Sequence, residues 1–183
     1  MSTCSFRFRA WHSRLMLLGM MLALLLPACA AAAADVVPVR LPLAPERLPG
    51  VIVRLVDGQE RMLTVGELEA LGTWRVRTVS PWERGQIVLE GPLLRDVLTY
   101  VGLGDAARIL VRSHDGYAPV IPHEDWRDYP VILATRADGR PLGHRHKGPT
   151  RIVYPLLEHP ELASPDRHAR WVWLIASIEA ADD

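Results

Sequence analysis

The chain has 183 residues, of which 49% are hydrophobic, and its 21 basic and 21 acidic side chains give a formal net charge of zero. This length is enough for one domain with a core and too short for two of ordinary size. The first 34 residues hold three arginines and no acid, which leaves 18 basic and 21 acidic residues in the remainder. A slightly acidic remainder argues against nucleic acid or an anionic membrane as the main partner.

The N-terminal segment has the three parts of a secretory signal peptide. A basic region reaches Arg14, an apolar region covers Leu15–Leu26, and the small residues Ala28–Ala34 precede Asp35. The apolar region is shorter than the roughly 20 residues that a transmembrane helix needs. We therefore expect cleavage near Ala34, at an Ala-x-Ala site, and a periplasmic mature protein. The alternative is a degenerate lipobox that places a lipid on Cys29.

Both cysteines, Cys4 and Cys29, lie in this leader. After cleavage beyond Cys29, the folded part would have no disulfide, no thiolate metal ligand and no cysteine nucleophile. Its stability would then have to come from packing.

The segment after the leader, residues 35–50, has four prolines and little hydrophobic periodicity. This composition predicts an extended linker, so we expect the globular domain to occupy residues 51–183.

The domain is predicted to be rich in short strands. The predicted strands are Val51–Val56, Arg61–Leu63, Trp74–Val79, Ile87–Leu89, Ile109–Arg112, Tyr117–Ile121, Val131–Thr135, Arg151–Tyr154 and Trp171–Ile178, the last with both faces buried. Asp-Gly pairs at residues 57–58, 115–116 and 138–139 predict tight turns. Residues 158–170 are polar and are interrupted by prolines, which predicts a surface loop.

Helices are fewer than strands. Thr64–Glu67 fits a capping box that opens a short helix ending before Gly72. Pro92 fits the first position of a second helix, which Gly102 ends. His123–Asp125 has the composition of a first helical turn. The pattern predicts an α+β fold, with β-rich mixed sheets and two or three short helices.

Alternation along the predicted strand Trp74–Val79 decides where Thr78 points. Trp74, Val76 and Thr78 share one face of that strand, while Arg75 and Arg77 lie on the other. We expect the first face, and Thr78 with it, to point into the core.

A series of short segments between residues 82 and 172 occurs in a characteristic order and spacing. They are Trp82, Leu89–Leu98, Asp115–Tyr117, Ile121-Pro122, Glu124–Trp126, Leu133-Ala134, Gly139–Leu142, Gly148-Pro149, Arg151–Pro155 and Arg170–Val172. Together they resemble the molybdopterin-binding domain of the sulfite oxidase family, in its short exported form. The likeness extends over Val51–Ile178 and implies that family's fold.

In catalytic members of the family, the resemblance implies that a cysteine thiolate ligates molybdenum, in a segment similar to Cys-x-x-Gly-Trp. Thr78–Trp82 takes the place of this segment, and Thr78 stands where the cysteine would be. A threonine hydroxyl does not supply the anionic sulfur that this soft metal uses. The resemblance therefore implies the fold and a residual cofactor groove at Thr78 and Trp82, while molybdenum catalysis and any cofactor are not expected. Binding of molybdopterin stays open.

Other candidate ligand contacts lie within residues 108–154, which hold four of the seven histidines. His144, Arg145, His146 and Lys147 form the densest basic cluster, which could cradle the phosphate of a pterin or another small anion, or could be a solvated loop. A His-x-His metal site on a strand is a weaker alternative, because no further ligand is evident nearby.

Residues beside the 115–116 turn are the remaining candidates. His114 and Asp115 could form an imidazole–carboxylate pair, although Asp115 more commonly serves only the turn. We place His114 and Tyr117 among the candidate cofactor contacts, and Trp171 and Trp173 as aromatics of the core or of a groove wall.

Three functions of different class follow. The first is an exported binding or sensory module without molybdenum catalysis, which serves a small anion, a membrane sensor or a redox partner. The second is a periplasmic molybdopterin-dependent oxidoreductase whose metal is held without a protein thiolate. The third is a structural envelope protein in which the groove has closed.

Overall fold

The computed structural model of the chain describes residues 34–42, 44, 48–55 and 57–181. The predicted signal peptide up to residue 33 and the Cys29 lipobox lie outside these residues. None of the helices described has the length and apolar character needed to cross a membrane.

Within the described residues, strands form two five-stranded sheets and one two-stranded sheet. The strands are β1 (Val36–Val39), β2 (Pro49–Arg54), β3 (Glu60–Thr64), β4 (Thr73–Ser80), β5 (Glu83–Gly91), β6 (Arg108–Ser113), β7 (Val120–Pro122), β8 (Ile132–Ala134), β9 (Arg136–Ala137), β10 (Arg140–Pro141), β11 (Arg151–Val153) and β12 (Ile175–Ala180). The helices are α1 (Val65–Ala70), α2 (Leu94–Tyr100), α3 (His123–Asp128) and α4 (Pro165–His168), with 3₁₀ turns at His144–His146 and Pro160–Leu162.

The first sheet has the strand order β1-β4-β5-β9-β10 and the second has β3-β2-β12-β6-β7. Neighbouring strands are antiparallel except β12 and β2, which pair in parallel. Strands β8 and β11 form the small antiparallel sheet. The predicted β-rich α+β class with mixed sheets is confirmed.

Local sequence rules explain two of the connections. The Thr64 hydroxyl accepts a hydrogen bond from the Glu67 amide at 3.2 Å, and the Glu67 carboxylate accepts one from the Thr64 amide at 2.8 Å, so the predicted capping box is present. Asp138 and Gly139 have φ values of 48° and 74°, and both are positive as a tight primed turn requires. They join β9 to β10.

The prediction that residues 35–50 are only a linker is wrong. Val36–Val39 pairs with β4, and β2 already starts at Pro49. Because β1 is an edge strand, Pro38 is tolerated within it. The folded domain therefore includes residues before Val51.

The prediction that Pro92 opens a helix is also wrong. Helix α2 begins at Leu94, because the backbone of Pro92 and Leu93 pairs with β8 of the two-stranded sheet. The Pro92 carbonyl accepts a hydrogen bond from the Leu133 amide at 2.9 Å, and Leu93 bridges to Ile132. This long-range pairing keeps the backbone extended for two residues longer than the local signal indicates.

The C-terminal predictions need similar correction. Strand β12 begins at Ile175, because Leu174 has a positive φ of 53°, which interrupts an extended strand. Residues 158–170 contain the Pro160–Leu162 turn and α4, and Leu162 is fully buried, so this segment is anchored to the core.

The core contains apolar side chains from both large sheets and from α1 and α2. Leu68 of α1, Leu94 and Leu98 of α2, and Val76 of β4 are all fully buried. Thr78 of β4 is equally buried, which confirms the predicted inward position.

Candidate functional site

Thr78 is tied to the backbone of a distant segment. Its hydroxyl donates a hydrogen bond to the Tyr154 carbonyl at 2.8 Å and accepts one from the Leu156 amide at 3.0 Å. These partners follow β11 and lie 76 and 78 residues further along the chain. The side chain therefore links β4 to the backbone beyond β11.

An open cleft lies beside this region, where the β4–β5 turn, the β6–β7 turn and the segment from α4 to β12 meet. We call it the aromatic cleft. Its volume is about 580 Å³, and it is lined by Trp82, Ser113, Asp115, Tyr117, His168, Trp171 and Trp173.

Trp82 lies in the β4–β5 turn at the aromatic cleft, and its side chain is 48% exposed. Its ring is nearly perpendicular to that of Trp173, with centroids 5.1 Å apart, and it also packs edge-to-face against Trp171 at 6.1 Å. Such edge-to-face contacts are the favoured geometry for aromatic pairs. Trp171 is buried, whereas Trp82 leaves much of its surface open to a ligand.

The turn between β6 and β7 supplies Tyr117 and Asp115. The Tyr117 amide donates to the Asp115 carboxylate at 3.0 Å, and this hydrogen bond holds the pKa of Asp115 below its ordinary value. The Tyr117 hydroxyl donates to the Ala169 carbonyl at 2.6 Å, which fixes the ring against the segment after α4. Asp115 is therefore an ionised, exposed carboxylate in the lining of the cleft.

A second cleft, which we call the basic cleft, has a volume of about 300 Å³. Its charged or titratable lining residues are Glu83, Asp138, Arg145, His146, Lys147 and Arg151.

Glu83 neutralises part of the basic cleft. Its carboxylate lies 2.9 Å from the Arg151 guanidinium and 3.4 Å from the Lys147 ammonium. Burial alone would raise the pKa of Glu83, but the hydrogen bonds and charges of Arg151 and Lys147 outweigh it and the pKa is lowered. The Lys147 ammonium also lies 4.4 Å from the centre of the Trp173 ring, so a residue of the basic cleft contacts a ring that lines the aromatic cleft.

A buried polar network lies behind the aromatic cleft. The Asp125 carboxylate accepts a hydrogen bond from the Tyr154 hydroxyl at 2.8 Å and contacts the Arg170 guanidinium at 2.9 Å. Burial, followed by the charge of Asp125, raises the pKa of Tyr154 well above its ordinary value, so the phenol stays protonated. The Tyr154 ring stacks on Trp171, which connects this network to the cleft wall.

The structure brings together some of the predicted contacts and separates others. Trp82 and Tyr117 both line the aromatic cleft, and Arg145, His146 and Lys147 line the basic cleft.

Three predicted residues lie apart from these linings. Thr78 lines neither cleft. His114 and His144 are exposed and are also absent from both linings.

The His-x-His pair at residues 144–146 does not lie on a strand as the metal-site alternative required, because it forms a 3₁₀ turn. The part of the chain that the structure describes contains no group of three or more His, Cys, Asp or Glu side chains placed to hold a metal ion.

Two lining residues of the aromatic cleft, His168 and Ser113, were not predicted from the sequence. His168 comes from the segment predicted as a surface loop, and its ring lies 6.2 Å from that of Trp82. Ser113 ends β6, and its hydroxyl donates to the Trp173 carbonyl at 2.7 Å. No local pattern marks either residue, because both are defined by contacts with distant segments.

Comparisons with known proteins agree with this architecture. The family model described as "Oxidoreductase molybdopterin binding domain" matches residues 61–174. The crystal structure of the sulfane dehydrogenase SoxCD from Paracoccus pantotrophus is similar, with a TM-score of 0.56 and 16% sequence identity over 78% of this chain and 40% of that chain. At this identity the likeness concerns the fold alone, and the chain spans about two fifths of that relative. No curated protein matches the chain.

Proposed function

Because the chain belongs to the family of oxidoreductase molybdopterin-binding domains, we propose that it is an exported member that functions as a ligand-binding module without molybdenum catalysis. The observation that carries this proposal is the position of Thr78, which stands where the resemblance places the metal-ligating cysteine. Its hydroxyl is fully buried and is already hydrogen-bonded to two backbone groups.

The side chain at this position does not suit a molybdenum ion that is ligated by a protein thiolate, as the resemblance implies for catalytic members of the family. A threonine would have to lose a proton of very high pKa, and also its hydrogen bond to the Tyr154 carbonyl, before it could ligate a metal. Its oxygen would remain a hard ligand for a centre that uses soft sulfur. The cysteines of the chain, at positions 4 and 29, precede the described residues and lie in the predicted leader.

The aromatic cleft supports the ligand-binding part of the proposal. A volume of about 580 Å³ lies within the range of roughly 300–1,000 Å³ that is common for small-molecule sites. The half-exposed ring of Trp82 lies in its lining, edge-to-face with the buried ring of Trp171. Apolar and aromatic walls with a few fixed polar groups are typical of such sites.

Export is the part of the proposal that rests on sequence. The acid-free basic start, the apolar run Leu15–Leu26 and the alanines before Asp35 support it. N-terminal sequencing of protein recovered from the periplasm should begin at or near Asp35. An intact Met1 in that pool would contradict cleavage, and processing at Cys29 would favour the lipoprotein alternative.

The test of catalysis compares wild type with Thr78→Cys and Thr78→Ser after expression of the full chain in a molybdenum-replete host. We would measure bound molybdenum by mass spectrometry and reduction of a sulfoxide with an artificial electron donor. We expect wild type and Thr78→Ser to carry far less than one molybdenum per chain and to show no turnover. Stoichiometric molybdenum with turnover in the wild type would overturn the proposal and favour the periplasmic molybdopterin-dependent oxidoreductase.

A further inference from the structure

We infer that the aromatic cleft binds an organic cation of the alkylammonium or quaternary ammonium class. This inference rests on the proposed function, because it names the ligand class of a cleft that the proposal treats as a binding site. It depends on the aromatic rings of the cleft, on the orientation of its oxygen atoms and on its charge.

The rings of the aromatic cleft are suited to a cation. Trp82 and Tyr117 are 48% and 47% exposed, and both line the same cavity. The Trp82 plane makes angles of 87° with Trp173 and 62° with Trp171, so these rings turn their faces in different directions. The face of an aromatic ring carries negative partial charge, and cages of such rings recognise quaternary ammonium groups.

The hydroxyl groups in the lining are oriented with their hydrogens away from a ligand. The Tyr117 hydroxyl donates to the Ala169 carbonyl at 2.6 Å, and the Ser113 hydroxyl donates to the Trp173 carbonyl at 2.7 Å. Ser113 is buried, whereas Tyr117 is 47% exposed, so it is the Tyr117 oxygen that presents lone pairs to a ligand in the cleft. A cation is stabilised by such an oxygen, whereas an anion is repelled by it.

The charge of the residues that line the aromatic cleft also favours a cation. Asp115 is an ionised carboxylate, and the lining of the aromatic cleft includes no lysine or arginine. A phosphate or pterin phosphate would find no lysine or arginine in this lining, which contains His168 as its basic side chain, and the arginine and lysine side chains lie instead in the basic cleft. The two clefts therefore differ in the charge of their linings, and the aromatic cleft is the one suited to a cation.

One ring of the cluster already binds an ammonium group within the domain. The Nζ atom of Lys147, a residue of the basic cleft, lies 4.4 Å from the centre of the Trp173 ring, and Glu83 pairs with the same ammonium. The distance lies inside the roughly 6 Å that defines a cation–π contact. An organic cation in the aromatic cleft would repeat this arrangement, with Trp82 in the place of Trp173 and Asp115 in the place of Glu83.

The experiment titrates the exported full chain with choline and follows tryptophan fluorescence and binding heat. The control ligand is 3,3-dimethylbutan-1-ol, which has the shape of choline with a neutral carbon in place of the charged nitrogen. We expect saturable binding of choline and affinity for the neutral alcohol that is lower by a factor on the order of ten. Equal affinities for the two ligands would overturn the inference, because the cleft would then recognise shape and apolar surface alone.

Two variants locate the site. Trp82→Ala should weaken choline binding by a factor on the order of ten, and Asp115→Asn by a smaller factor of about three. Asparagine can keep the turn at this position because its side-chain oxygen also accepts the Tyr117 amide. The controls are Tyr100→Ala and Asp105→Asn, an exposed aromatic and an exposed acid outside the cleft, which should leave affinity unchanged. Equal losses in control and cleft variants would overturn the location.

Molybdenum is measured on the same samples, so that failure of the cation inference can be distinguished from failure of the proposed function. Absence of choline binding in molybdenum-free protein whose melting transition is normal would overturn the cation inference and leave the proposed function standing. Stoichiometric molybdenum with turnover would overturn the proposed function whatever choline does.

Discussion

The carboxylate of Glu69 and the guanidinium of Arg136 form a two-point ion pair across 67 residues of sequence, with Nε–Oε1 and Nη2–Oε2 distances of 2.7 Å. Both residues are 5% exposed. Glu69 also accepts hydrogen bonds from the Thr135 hydroxyl and the Ala44 amide. The pair thereby joins α1 to β9 and to the segment between β1 and β2.

Replacing Glu69 by Gln should lower the free energy of unfolding by about 3–5 kcal/mol, because Arg136 would be left buried without its counter-charge. Urea denaturation of the purified protein measures this loss. Glu60→Gln is the matched control, since Glu60 pairs with Arg54 at 2.7 Å on the exposed surface and should cost less than about 1 kcal/mol. Equal losses in the two variants would contradict the role of burial.

The same pair should make stability depend on acid pH. Burial alone would raise the pKa of Glu69, but hydrogen bonds from Arg136, Thr135 and Ala44 and the charge of Arg136 outweigh it, so its pKa lies below the ordinary value of 4.5. The unfolded chain then binds the proton more readily than the folded one. The stabilisation is therefore fully present above the unfolded pKa and is lost as pH falls through the folded pKa.

Unfolding free energies measured between pH 7 and pH 3 test this dependence. Wild type should lose more stability over that range than Glu69→Gln, which has no carboxyl group to titrate at this position. Parallel curves for the two proteins would show that other carboxyl groups account for the acid sensitivity.

Sequence patterns predicted those features that depend on residues close together in the chain. The Thr64–Glu67 capping box needs only a three-residue spacing, and the turn at Asp138 and Gly139 needs only residues that tolerate positive φ. The inward face of β4 follows from alternation along one strand. Each of these predictions is confirmed.

Features that depend on a distant partner were missed or misplaced. Val36–Val39 looked like part of a linker because its partner, β4, begins more than thirty residues later. Pro92 looked like a helix start because the pairing of Leu93 with Ile132 leaves no local mark. His168 lies in the candidate site because α4 packs near the β4–β5 turn. No periodicity in the sequence predicts this contact.

The basic cleft gives a prediction about anions. We expect phosphate to raise the melting temperature by a small, salt-sensitive amount, because Arg145 and Lys147 lie together in its lining. The variant Arg145→Ala/Lys147→Ala should remove this shift, and Arg95→Ala/Arg127→Ala, on α2 and α3, should keep it. A shift that survives in the first variant would mean that the cluster is only a solvated turn.

The last prediction concerns the hydroxyl of Thr78. Thr78→Val keeps the shape of the side chain but leaves the Leu156 amide and the Tyr154 carbonyl with only their hydrogen bond to each other at 3.0 Å, which should cost about 2–3 kcal/mol of unfolding free energy. Thr78→Ser keeps both hydrogen bonds and loses one methyl group, so it should cost only about 1 kcal/mol. Thr78→Cys should fold with an intermediate loss, because sulfur is a weaker hydrogen-bonding group of similar size. Urea denaturation of the three variants measures the order, and a Thr78→Val protein as stable as Thr78→Ser would show that the hydroxyl contributes nothing to the link between β4 and the segment beyond β11.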